Sequence, residues 1–107
     1  DDWKKELLVS GIPSYMQGGV TRWLEHGILP GHFMTALLSN DLRETFARAD
    51  DTNARCVIYY LKFLYNHAPP GCWGSPERFE AWASEHAKFR EAAEYDEPEP
   101  PSDPITA

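Results

Sequence analysis

A chain of 107 residues with 42% apolar composition has room for one modest hydrophobic core, and it carries too much apolar content to be disordered throughout. Its formal charge of −7 is unevenly placed: through Tyr95 thirteen acids face ten bases, whereas Asp96, Glu97, Glu99 and Asp103 stand without a base. The folded part is therefore only mildly acidic and has nothing to neutralise a row of phosphates, which excludes a basic nucleic-acid binder of the usual kind.

The first residues, Asp1 to Val9, predict a short helix with Trp3 and Leu7 one turn apart, an arm that docks on the rest and stops at Ser10-Gly11. A second helix is expected from Ile12-Pro13-Ser14 to about His26, with Gly27 as its C-terminal stop. Tyr15, Gly19, Trp23 and His26 share one of its faces, and Met16, Val20 and Leu24 lie beside them. Gly18-Gly19 lowers helix propensity by up to about 2 kcal/mol relative to alanine. A kink would explain the pair; close approach of another backbone explains it better.

Ile28-Leu29-Pro30-Gly31 is a tight connector, after which Phe33 and Leu37 form one row and Met34, Leu38, Leu42 and Phe46 another, spaced by four. That spacing predicts one helix from His32 to about Ala49, although Asn40 could cap a restart. Asp50 to Asn53 then turns the chain into the stretch Asp51–His67, on which the domain is organised. At 100° per residue, Cys56, Val57, Ile58, Tyr60, Leu61, Phe63, Leu64 and Tyr65 cover most of its circumference. Arg55, Tyr59, Lys62 and Asn66 leave a polar stripe only about 60° wide. A helix apolar nearly all round is expected inside a bundle.

Ala68 to Gly74 holds two prolines and two glycines and reads as a stiff loop. Ser75-Pro76-Glu77 starts the last helix, which should reach about Tyr95 with Phe79, Trp82, Ala83, His86, Phe89 and Ala93 on one face. From Asp96 to Ala107, prolines and acids predict a disordered tail. The expected fold is all-α: a bundle of four helices, or five with the arm, in one domain over residues 1–95, the arm being residues 1–9. No apolar run approaches the roughly 20 residues that span a bilayer, and no signal peptide is recognisable. The chain opens on Asp1 and not Met, which points to an upstream segment outside it.

Candidate chemistry is sparse. Cys56 and Cys72, sixteen residues apart, make no disulfide framework and read as reduced thiols of a cytoplasmic protein. Cys56, His67, Cys72 and His86 have the right donor atoms for zinc, but their spacing fits no ligand pattern, so a hydrogen-bonded core histidine is the better reading of His86. Cys72 with His67 as base lacks an orienting acid and an oxyanion device at recognisable spacing. Asp41/Glu44 and Asp50/Asp51 read as helix caps and surface charge. Neither a metal nor another cofactor is expected. Trp73, held between glycines by a diproline, either plugs the end of the bundle or projects as an anchor for a partner.

Gly27-Ile28-Leu29-Pro30-Gly31-His32-Phe33, Asn40-Asp41-Leu42, Arg48-Ala49-Asp50, Phe63-Leu64-Tyr65-Asn66 and Cys72-Trp73-Gly74-Ser75, in that order, resemble a group of small proteins encoded in tailed-phage and prophage genomes. The likeness covers about Ile12 to Phe89. It implies a bacterial cytoplasm and an accessory phage role, and it transfers no functional residues. By analogy with small phage proteins that block host enzymes or defence complexes, the chain is expected to bind a bacterial host protein without catalysis. The expected contacts are Trp73, Cys72, Arg55, Tyr59, Lys62 and Asn66, with no membrane or nucleic-acid partner and with a homodimer left open. A Cys/His catalytic or metal-binding protein, and a self-associating structural phage component, are the alternatives.

Overall fold

The structure is a computed structural model that describes residues 2–94, with side chains from Trp3 to Phe89; the tail expected from Asp96 onward lies outside the described residues. Six α-helices follow one another, α1 (Asp2–Leu8), α2 (Ser14–His26), α3 (His32–Leu38), α4 (Leu42–Arg48), α5 (Asp51–His67) and α6 (Pro76–Glu94), with one 3₁₀ turn at Pro70–Cys72. Among the described residues there is no strand. The all-α expectation is met, and the loop before α6 contains a helical turn where none was expected.

The helix ends are set by local chemistry. Gly27 closes α2 at φ 62°, its N–H reaching the Trp23 carbonyl at 2.9 Å. Asp50 caps α5, its carboxylate accepting from the Asn53 N–H at 2.7 Å and from the Tyr15 hydroxyl at 2.7 Å, so α2 is tied to the cap of α5. These two hydrogen bonds hold the Asp50 carboxyl below its ordinary range. Ser75 caps α6 as expected, accepting from the Arg78 N–H at 3.1 Å.

Four expectations are corrected. The single helix from His32 to Ala49 is two helices, because Asn40 takes a left-handed conformation at φ 66°. Its N–H and that of Asp41 turn back to the carbonyls of Leu37 and Ala36 at 3.1 and 2.9 Å, while the Asp41 carboxylate caps α4 by accepting from Glu44. The Gly18-Gly19 pair admits no neighbouring backbone; what a side chain there would meet is the Arg22 guanidinium. The helix enclosed on most sides is α3, which buries Phe33, Met34, Ala36, Leu37 and Leu38, five of its seven residues. α5 buries one face, Asn53, Val57, Tyr60, Phe63 and Leu64, and leaves Ile58 and Tyr65 in solvent. On α6, where Phe79 and Phe89 were expected on one inward face, Phe79 is buried but Phe89 is exposed.

The arm docks as expected: Trp3 and Leu7 are buried, and Lys4 pairs with Glu25 of α2. α1 packs against α2 and α5, while α6 packs against α2, α3 and the 3₁₀ turn. Trp23 is the hub. It is fully buried, stacks on Phe79 at 4.6 Å and donates its indole N–H to the Cys72 carbonyl at 3.1 Å. Buried polar groups are satisfied, as where Tyr60 donates to Asn53 at 2.7 Å; among the described residues no buried side-chain N or O lacks a partner.

Candidate protein-binding surface

On α5 the periodicity that buries Val57, Tyr60 and Leu64 must turn Arg55, Ile58, Tyr59, Lys62, Tyr65 and Asn66 the other way, and all six are exposed. The exposed sector spans about 120°, twice the stripe read from polarity alone. Its apolar members are large, with Tyr65 81%, Ile58 54% and Tyr59 43% exposed. Asn66 is held back on its own helix, donating to the Lys62 carbonyl at 2.8 Å. Arg55 and Lys62 have no ion pair among the described residues, and the one acid of α5, Asp51, is exposed one turn before Arg55 on the same sector.

Residues 6–11 border this face. Glu6 lies 3.5 Å from His67 at one end of α5, and a Cβ on Gly11 would stand 2.9 Å from the Tyr59 ring nearer its middle. The chain between these two contacts therefore runs back along α5, and it carries Leu8 and Val9, both more than two-thirds exposed. Large apolar groups flanked by Asp51, Arg55 and Lys62 give a surface with an adhesive centre and a charged margin, the usual anatomy of a protein interface.

The other expected contacts separate. Cys72 is corrected: at 0% exposure it is part of the core and cannot touch a partner in this fold. It is drawn in because its carbonyl accepts from Trp23, while the loop is pinned where the Gly74 N–H donates to the Leu38 carbonyl at 2.8 Å. Trp73, next in the chain, is half-buried and packs on the core, so it closes this end of the bundle and keeps part of its ring at the surface. Arg55, Tyr59, Lys62 and Asn66 stand together on the outer face of α5. Sequence reasoning missed Ile58 and Tyr65 as surface residues; the signal available was their position seven apart with Lys62 between them.

The chemical candidates are dispersed. Burial pushes the Cys72 thiol up to about 12, which leaves it protonated and inert near neutrality. A disulfide reagent should therefore titrate one thiol, that of the half-buried Cys56, in the native protein and two only after unfolding. Equal native rates at both cysteines would show that the Cys72 loop opens. His86 sits at 2.9 Å from the Trp82 carbonyl through Nδ1, with its ring 4.5 Å from the Trp82 ring, and so belongs to the packing of α6. Among the described residues no group of three or more His, Cys, Asp and Glu side chains could hold a metal ion, and no helix is long and apolar enough to cross a membrane. Comparison of the chain with protein-family models, curated proteins and solved structures finds no match.

Proposed function

We propose that this is a small phage-type accessory protein that binds a bacterial host protein through the outer face of α5, without catalysing a reaction. The observation that carries the reading is the exposure of Ile58, Tyr59 and Tyr65 on one helix face beside Arg55 and Lys62. Exposed tyrosines and an arginine are what interface centres use, and leaving three large apolar side chains in water has no benefit for folding. The sealed Cys72 thiol argues against the catalytic alternative built on that residue. The phage setting and the cytoplasmic site of action rest on the sequence resemblance alone.

The test is affinity capture from a bacterial lysate with the tagged chain, followed by mass spectrometry. The double variant Ile58→Asp with Tyr65→Ala should lose the captured protein at unchanged far-ultraviolet circular dichroism, because neither side chain supports the core. Trp73→Ala measures the share of the loop in the same experiment. Capture that survives the α5 double variant would remove this face from the proposal.

A further inference from the structure

Asp51, Arg55, Ile58, Lys62 and Tyr65 of α5 follow one another at intervals of 4, 3, 4 and 3 residues, and all five are exposed. They fall within about 80° of one another around the helix. That alternation is the seam spacing of a coiled coil, which lines up residues to meet a facing helix. α5 uses the same spacing inward, where Asn53, Val57, Tyr60 and Leu64 are buried. The helix thus has two seams, one closed by the core and one open to water. The open seam carries an acid near one end, Asp51, and a base in its second half, Lys62, eleven residues apart or about 17 Å along the axis.

We propose that the open seam of α5 pairs with the same seam of a second copy of the chain, the two helices running antiparallel. The charges select this occupant and this direction. In a parallel pair Arg55 would face Arg55 and Lys62 would face Lys62, an arrangement that like charges oppose. In the antiparallel pair the two-fold axis passes midway between Arg55 and Ile58. Asp51 then lies against Lys62 of the second copy and Arg55 against Ile58 of the second copy, each contact occurring twice by symmetry. Arg55 lays its aliphatic stem on the isoleucine and keeps its guanidinium in water. Tyr65 reaches past this paired length onto the α4–α5 junction of the second copy. A seam of about two heptads is at the small end of specific interfaces, so the dimer is weak and forms with rising concentration. The inference rests on the reading of this face as a binding surface, and a host protein would have to displace the second copy.

Sedimentation equilibrium of the full chain over a concentration series tests the pairing. The unaltered chain should associate to dimers. Asp51→Lys or Lys62→Asp alone should weaken association about tenfold or more, since each reversal turns two attractions into two repulsions. An equimolar mixture of the two variants should dimerise again, because every lysine of one then meets an aspartate of the other. Far-ultraviolet circular dichroism of each variant separates lost association from lost folding. Lys62→Asp lies mid-helix, away from the α5 cap, so its result stands even where Asp51→Lys loses helix. A chain that stays monomeric at every concentration, a dimer indifferent to both reversals, or folded variants that do not recover on mixing overturns the proposal. A monomeric chain whose lysate capture is lost in the Ile58→Asp, Tyr65→Ala variant overturns self-pairing and leaves the host-binding reading standing. Dimers that recover on mixing, from a chain that captures nothing, support self-pairing and overturn the host-binding reading.

Discussion

Trp23→Ala should leave most of the protein unfolded at physiological temperature. The side chain is fully buried, so its removal opens a cavity where α2, α6 and the loop before α6 meet. Truncating a buried Trp to Ala typically costs about 3–5 kcal/mol, and the Cys72 carbonyl left without a donor adds about 1–3 kcal/mol if water cannot reach it. The sum rivals the whole stability of an ordinary small domain, about 5–15 kcal/mol. Trp23→Phe separates the two contributions, because a smaller ring can still stack on Phe79 while the indole N–H is gone. Thermal melts followed by circular dichroism should rank the unaltered chain above Trp23→Phe and that variant above Trp23→Ala. A Trp23→Ala protein melting within a few degrees of the unaltered chain would contradict the packing described around this residue.

Why some elements were legible in the sequence and others were not has a local answer in each case. α2 and α6 carry chemical punctuation that acts without tertiary help, Gly27 at one end and Ser75-Pro76 at the other, and their boundaries follow from it. The break between α3 and α4 uses less visible punctuation. Asn40 is a poorer left-handed residue than glycine, and Asp41 serves two helices at once, so the row Met34, Leu38, Leu42, Phe46 conceals the turn. Once the chain turns, the second half of that row leaves the core: Thr45 faces inward from α4, and Leu42 and Phe46 face water.

The same limit governs the candidate surface. Hydrophobicity counts Ile58 and Tyr65 as core, but α5 turns its other side inward, with Tyr60 against Phe33 of α3 and α1 packed alongside, and so leaves them outside. Arg55, Tyr59, Lys62 and Asn66 were readable because their polarity and period agree. Cys72 was misread for the opposite reason. A glycine-flanked loop suggests exposure, but the need of Trp23 for a buried acceptor draws this one inward.

The second large effect concerns Gly27, where conformation and space act together. At φ 62° a non-glycine residue is strained by about 1–2 kcal/mol. A methyl group there would also lie 2.5 Å from the His86 Cβ and 3.2 Å from the Trp82 carbonyl. That carbonyl is helix backbone and cannot swing aside, so α2 and α6 must separate, at a cost of about 1–3 kcal/mol for overpacking. Trp82 also donates its indole N–H to the Trp23 carbonyl at 2.8 Å, and the separation strains that link between the helices. Gly27→Ala should therefore lower the melting temperature by about 10 °C or more, at roughly 4–8 °C per kcal/mol for a domain of this size. Gly71→Ala is the control: nothing lies within 4 Å of its Cβ position and its φ is not left-handed, so the melting temperature should hold or rise slightly. Equal melting of the two variants would mean that the α2–α6 contact is looser than the Gly27 geometry requires, and the hub at Trp23 would have to be stabilised by the 3₁₀ turn alone.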